Sequence, residues 1–448
     1  MLARFLLFAG ILLHAAGATA ALDIQSWQTK NGARVLLVEN DALPMVDIRV
    51  VFDAGSARDA DLPGLALLTN SLLDEGADGL SATELAEVFE SVGAQVSLES
   101  MRDMSSASLR SLSDSEYLDV ALDAFSKVLS SPAFSEQAYE RQMARFKVSV
   151  KSREQSPSDI AEEAFYEALY GDHPYASPVS GTLESLERIT LDAVRAHYER
   201  YYVASNAVVA IVGDVTRTEA EVMTERLMGK LAEGQKAAPL PPVPALQASV
   251  TRYIDYPSTQ SHIFIGQPGM SRGHEDYFDL YVANHPLGGS GFSSRLVNSI
   301  RVDRGLAYSV YSYFSPMREA GPFQMGMQTK NEQAKQAVEL LNEELRRYID
   351  EGPDAEELEA SISNITGSFP LNLDSNSKML GYIAMIGFYG LDIGYLDTFL
   401  DRIRAVTPAS AKQAFASRID ADRLVTIVVG NRAQQLASGQ GDEAQPAR

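Results

Sequence analysis

Val209-Ala210-Ile211-Val212-Gly213-Asp214 returns near the other end of the chain as Val425-Thr426-Ile427-Val428-Val429-Gly430-Asn431, 216 to 217 residues further on. A short apolar run rich in β-branched residues, closed by glycine and a small polar side chain, reads as a buried strand ending in a turn. An amphipathic helix pattern precedes each copy, one around Tyr198 and one around Phe415. Further out, Gly55-Ser56-Ala57-Arg58 leads into a helix-like run to Leu73, and Gly269-Met270-Ser271-Arg272 leads into another to Leu287, at an offset of 214. Two recurrences at nearly one offset make the chain a duplication. Between the copies, residues 233–248 (EGQKAAPLPPVPALQA) carry four prolines within 239–244. Proline supplies no N–H and fixes φ, so this stretch is an extended linker.

Within the halves, 33–39 and 46–52 read as strands and 96–112 as a strand pair with Ser105, Ser106 and Ser108 in its middle. The pattern predicts a helix over 62–73, capped by Asp61 with Pro63 in its first turn, and another over 81–92 with a Ser81/Glu84 capping box. Helices follow over 116–129, 136–153 and 158–170. The acidic stretch 351–359 reads as the solvated start of a helix, with Gly352-Pro353 as the turn into it. Strands and long helices segregate here. That predicts an α+β fold of two duplicated sandwich-like halves, joined by the proline-rich linker and enclosing a cavity. The expected organisation is 1–20 signal peptide, 21–232 first half, 233–248 linker, 249–435 second half, and 436–448 a polar, disordered tail.

The signal peptide is read from Arg4, the apolar run Phe5 to Leu13 and the A-x-A site Ala18-Thr19-Ala20. It implies an exported protein, periplasmic or secreted, with no membrane span after cleavage. The absence of cysteine rules out a lipid anchor on cysteine and any disulfide framework. A net charge of −22 argues against nucleic acid and anionic membrane surfaces as partners.

The order of signals resembles the pitrilysin/insulinase (inverzincin) zinc peptidases over most of the chain. The resemblance rests on Gly55-Ser56 with Gly64-Leu65-Ala66, on His173-Pro174-Tyr175, Gly181-Thr182, Tyr201-Tyr202, Asn206 and Val212-Gly213-Asp214, and most specifically on Leu287-Gly288-Gly289 through Ser294-Arg295-Leu296 to Arg301 and Gly305-Leu306-Ala307-Tyr308. Catalytic members carry H-x-x-E-H on the helix after the opening frame, two His holding zinc and Glu activating water. Here the frame puts Leu67, Asn70 and Ser71 at those positions, and an ungapped count puts the family's further acidic ligand near Lys147. Leu67 cannot ligate, Asn70 has no basic carboxylate and Ser71 is a poor ligand. The implication is no metal and no cofactor in this chain.

Arg301 and Tyr308 keep the family's spacing. The resemblance implies that both reach the substrate backbone, where a guanidinium and a phenol O–H can donate to a developing oxyanion. Gly288 and Gly289, read as a flexible loop before a helix, are candidate substrate contacts; the missing Lys-Ser/Thr excludes a phosphate loop. The expected function is the non-catalytic, substrate-binding subunit of an exported heteromeric zinc metallopeptidase. Its partner would be a related subunit carrying H-x-x-E-H and zinc, and its substrate a peptide. The alternative is a catalytically inert structural or peptide-holding protein of the same fold, as core subunits of mitochondrial respiratory complexes are. A third reading, an autonomous metal site, would need His262, His274 or His285, whose spacing fits no zinc pattern. His173 reads as a packing residue and the other histidines as structural or exposed ones, and no G-x-S-x-G marks a serine nucleophile.

Overall fold

The computed structural model describes residues 22–437 of the chain. The expected signal peptide and nearly all of the expected tail lie outside those residues. The first half contains strands β1 (Gln25–Gln28), β2 (Arg34–Glu39) and β3 (Met45–Phe52), helix α1 (Leu65–Ser71), the two-residue strands β4 (Gly76–Ala77) and β5 (Leu80–Ser81), α2 (Ala82–Ser91), β6 (Gln95–Ser100) and β7 (Ser105–Leu112). It continues with α3 (Ser115–Ser130), α4 (Glu136–Arg153), α5 (Pro157–Tyr170), α6 (Leu183–Arg188), α7 (Leu191–Tyr201), β8 (Ala207–Gly213) and α8 (Arg217–Met228). The second half runs β9 (Val250–Asp255), β10 (Gln260–Met270), α9 (Tyr277–Asn284), β11 (Ala307–Phe314), β12 (Gly321–Lys330), α10 (Ala334–Glu351), α11 (Ala355–Ser368), α12 (Asn376–Tyr389), α13 (Tyr395–Arg404), α14 (Pro408–Arg418), β13 (Val425–Gly430) and α15 (Arg432–Ala437). No regular element interrupts the proline-rich 233–248.

The duplication is written into the sheets. The first sheet orders its strands β1-β2-β8-β3-β7-β6, the second β11-β12-β10-β13-β9. Apart from β1, the second order is the first read from the other end. Each sheet contains a parallel pair, β2 with β8 and β9 with β13, and antiparallel pairs elsewhere. The repeated segments quoted above are β8 and β13, in matching central positions.

The central strands of both sheets are buried on both faces. In β2, Val35 and Leu37 enter the first half's own core, while Leu36 and Val38 join the other core with Ile383 and Ile386 of α12. In β10, Ile263 and Ile265 point one way and Phe264 the other, into a cluster with Ala161, Phe165 and Leu169 of α5. Each half therefore lends one helix to the outer face of the other's sheet. Buried Asp103 adds a polar lock between the halves: it accepts from the Tyr175 hydroxyl, the Tyr389 hydroxyl (2.9 Å) and the Arg318 backbone N–H (2.7 Å). A cavity of about 450 Å³ lies between the halves beside the linker, lined by Asp53, Asn206, Pro239, Arg318 and Phe388 among others.

Several local readings change. The helix expected over 62–73 is only Leu65–Ser71, because Gly64 enters it at φ 95° and the residues before it form a turn. Asp61 does not cap it. Asp59 does the corresponding work from a turn earlier, accepting from the N–H groups of Gly64 (2.8 Å) and Ala66 (2.7 Å). Its burial pushes the carboxyl up to about 8 despite those two bonds. The Ser81/Glu84 capping box is present, and the helix after Gly352-Pro353 is capped by Asp354, which also forms a capping box with Glu357. The last helix reaches Ala437, past the expected tail boundary at 436.

Its own sheet on one side and the exchanged α5 on the other leave no room at Gly266. A Cβ there would stand 2.0 Å from the Phe323 carbonyl oxygen and 2.9 Å from Cζ of Phe165 on α5. Gly266→Val is expected to destabilise the whole chain by about 3 kcal/mol or more, or to prevent folding. Urea unfolding checks this, and an unchanged midpoint would contradict the packing described.

Candidate functional site

Leu67, Asn70 and Ser71 share α1, spaced three and four residues apart as a helical metal motif requires. The structure uses them for other purposes. Asn70 is buried, with its side-chain amide donating to the carbonyls of Glu99 (3.0 Å) on β6 and Ser106 (3.4 Å) on β7. Its Oδ1 accepts from the Tyr202 hydroxyl at 3.1 Å. The Ser71 hydroxyl turns back to the Leu68 carbonyl at 2.9 Å. Lys147 on α4 pairs with Glu187 at 3.9 Å. Glu75, just past α1, accepts from Arg141 and Gln142 of α4, so hydrogen bonds join these two helices. Among the described residues, no three His, Asp or Glu side chains come together as a metal-holding group.

The second half repeats the Asn70 tie. At the same offset of 214 stands Asn284, at the end of α9; its amide donates to the Ser312 carbonyl (2.9 Å) and its Oδ1 accepts from the Ser312 hydroxyl (2.7 Å) on β11. Carrying the repeated frame forward from Gly55 and Gly269 would have found this pair in the sequence.

Arg301 and Tyr308 are brought side by side. Arg301 sits in a π-helical turn, Val297–Val302, and Tyr308 is the second residue of β11, the edge strand of the second sheet. Gly305 closes the connection at φ 61°, a left-handed geometry with open space where a Cβ would point. The Leu306 N–H bonds the Ile300 carbonyl at 3.0 Å, and the β11–β12 register shifts between Ala307 and Val310. A bulge at a sheet edge re-aims the side chain that stands on it. The result places the Arg301 Cζ 5.1 Å from the Tyr308 ring centre and 5.0 Å from that of Phe292. Tyr308 is 82% exposed and Phe292 77%. Arg301 makes no ion pair among the described residues, so its charge remains available between two aromatic faces. Phe292 was not singled out from the sequence; its place after Gly291 in a serine-rich stretch gave no helical or strand period to read.

Gly288 and Gly289 are not a flexible loop. They belong to a π-helical turn, His285–Gly289, that ends α9. A Cβ on Gly288 would meet the Ser312 backbone N at 2.4 Å, so the glycine is needed for the close approach to β11. Both glycines line a cleft of about 490 Å³. Arg301 and Tyr308 face neither that cleft nor the cavity between the halves.

The histidines are scattered. His173 caps a short turn through its ring, accepting from the Tyr175 N–H, and its other nitrogen meets the Pro241 carbonyl at 2.8 Å, tying the linker down. His197 is buried against Tyr201 and 3.4 Å from the Ala54 carbonyl, and burial pushes its imidazole down to about 4. His285 meets the Ser361 hydroxyl at 3.0 Å.

Comparison with known proteins follows the same division. The insulinase (peptidase family M16) pattern matches residues 34–183, and the peptidase M16 inactive-domain pattern matches 188–365. An uncharacterized zinc protease of Bacillus subtilis is 30% identical over 358 residues, 80% of this chain and 86% of that one. A non-peptidase homolog of Helicobacter pylori is 26% identical over 412 residues, 90% of this chain and 94% of that one. The crystal structure of a peptidase M16 inactive domain from Pseudomonas fluorescens superposes with a TM-score of 0.88 at 35% identity, covering 91% of this chain and 98% of its own.

Two outcomes are expected. Asn70→Glu, which restores the acid of the motif, removes both amide donors and points a carboxylate at the carbonyls of Glu99 and Ser106; it should cost about 2–4 kcal/mol in chemical denaturation. A neutral effect would mean the amide tie is unimportant. His197 takes up a proton more readily unfolded, near its ordinary 6.5, than folded, near 4. Its neutral burial therefore carries no penalty above pH 6.5, and stability falls as pH drops from there toward 4. In His197→Gln that part of the slope should vanish from stability measured against pH.

Proposed function

The chain belongs to the insulinase (peptidase M16) family as a member without the zinc motif, and on that premise we propose that it is the non-catalytic, substrate-binding subunit of an exported heteromeric metallopeptidase. The observation that carries this reading is Arg301 beside two exposed rings. It is an unpaired cation held between Phe292 and Tyr308 at a free sheet edge, in a chain whose own α1 offers leucine, amide and hydroxyl where a zinc centre would need imidazoles and a carboxylate. A pair of donors cannot activate water, so it serves catalysis only opposite a metal supplied by another polypeptide.

The partner in this proposal is a related subunit with H-x-x-E-H and bound zinc, docked on the face bearing Phe292 and Tyr308. The exposure of both rings suits burial in such an interface. The substrate is a peptide. Two sheet edges, β6 over α1 and β11 beside the pair, offer unpaired backbone groups for an extended segment. Once bound, the guanidinium and the phenol O–H donate to the carbonyl oxygen as it gains charge, while the partner's metal centre supplies the nucleophile. Export to the periplasm or the medium follows from the N-terminal pattern of charge, apolar run and A-x-A site.

The test combines this chain with a zinc-motif family member from the same source and follows peptide cleavage. Activity should require both. Arg301→Ala should lower kcat by about 100-fold or more, and Tyr308→Phe by a smaller factor, with co-elution on size exclusion unchanged. Full activity of the partner alone would sink the proposal.

A further inference from the structure

The two halves treat one repeated arginine differently. Arg58 and Arg272 close the repeated four-residue frames. Arg58 is buried and donates side-on to Asp53, through Nε at 2.7 Å and a terminal nitrogen at 2.9 Å. At the offset of 214, the position of Asp53 is taken by Gln267, whose amide is spent on the Arg418 carbonyl (2.8 Å) and the Asp420 N–H (3.0 Å). Arg272 has kept its charge and lost its carboxylate.

Nothing else nearby replaces it. Among the described residues, Arg153, Arg272, Arg318 and Arg418 have a buried Nε without a hydrogen-bond partner. Three of them have a carboxylate close by: Glu163 at 3.1 Å from Arg153, Asp53 at 3.5 Å from Arg318 and Asp276 at 3.7 Å from Arg418. Arg272 forms no ion pair among the described residues. Of the acids on adjoining segments, Asp276 is engaged with Arg418 and His274, Asp279 with the Ser410 hydroxyl, and Asp392 with the Gly394 N–H. The guanidinium is held by rings instead, its Cζ 5.6 Å from both the Tyr277 and Tyr389 centres, with a terminal nitrogen 3.5 Å from the Tyr277 hydroxyl. In a chain of net charge −22, a partly buried cation without a counter-charge is an unusual expense.

Arg272 stands where two clefts meet. One, of about 490 Å³, is lined by Tyr281, Tyr311 and Tyr313; the other, of about 450 Å³, by Tyr281, Tyr382 and Tyr395. We infer that this tyrosine-lined groove is a carboxylate-binding site: a ligand carboxylate supplies the missing counter-charge by pairing with the part of the Arg272 guanidinium that lines the groove, its Nε being buried, and its apolar or aromatic body lies along the tyrosine rings. Arg–carboxylate pairing is strong and geometrically selective when partly desolvated, and tyrosine supplies contact area with a hydroxyl at its rim. Peptides present this chemistry either at the C-terminus or on an acidic side chain. The site lies apart from Arg301 and Tyr308, and its occupancy does not depend on a zinc-bearing partner.

Calorimetric titration of the full chain tests the assignment with three probes: acetyl-Gly-Gly-Phe with a free carboxylate, the same peptide as its amide, and acetyl-Gly-Glu-Phe amide. A carboxylate probe should bind at least tenfold more tightly than the neutral amide, and Arg272→Gln should abolish the difference. Preference for the free acid alone identifies a terminal carboxylate as ligand; equal binding of the glutamyl amide identifies a side-chain carboxylate. Tyr281→Ala, at a residue 39% exposed, should weaken binding severalfold without moving Tm, and it decides the matter if Arg272→Gln fails to fold. Arg301→Ala should bind as the native chain does, which separates this site from the proposed catalytic role. Equal binding of the neutral amide, no binding of either carboxylate probe at millimolar concentration, or unaltered affinity in the variants would overturn it.

Discussion

Each sheet in this protein has two apolar faces, and each half supplies its own helices to only one of them. The other face of the first sheet is covered by α12 and the other face of the second by α5, so neither half can bury its sheet alone. The remaining architecture depends on this reciprocal loan. It explains why β2 and β10 are apolar at successive positions instead of alternating with polar residues, and why glycine stands at Gly266 and Gly387, where a Cβ would run into the partner element. It also explains the Asp103 lock: a carboxylate at that depth is tolerable only because Tyr175, Tyr389 and Arg318 all donate to it.

With the halves held together, the two copies of one motif could diverge in what they do. In both, an asparagine near the end of the first helix hydrogen-bonds to the strands beside it, Asn70 to Glu99 and Ser106, Asn284 to Ser312. An amide at this place contributes donors that a carboxylate would not, so the position that in catalytic relatives must carry a base here contributes to stability. The divergence runs the other way for the arginines. The first half neutralises Arg58 with Asp53 and spends it on structure, whereas the second leaves Arg272 in a groove and Arg301 on the surface, both with charge to offer.

The fold was readable to the extent that it rests on local pattern. Apolar β-branched runs, the capping box at Ser81, the turn at Gly352-Pro353 and the prolines of the linker act over a few residues, and all of them appear where the sequence puts them. Helix α1 shows where this fails. Its expected start at Asp61 was overridden because Asp59, two residues earlier, reaches the backbone of Gly64 and Ala66 through a turn that no periodicity marks. The stretch from Gly288 to Val302 shows the same thing: π-helical turns have no sequence period, so a glycine-rich segment looked like a loop.

By itself the sequence determined the duplication, the α+β class, the family and the loss of zinc ligands at Leu67, Asn70 and Ser71, because each of these follows from residue type and spacing along the chain. Only the tertiary structure decided which helix covers which sheet, that Arg301 lies against the exposed rings of Phe292 and Tyr308, and that Arg272 lacks the carboxylate its counterpart has. These are contacts between residues brought together by folding, and whether a charge is paired or a ring exposed is a property of neighbours that no spacing along the chain encodes.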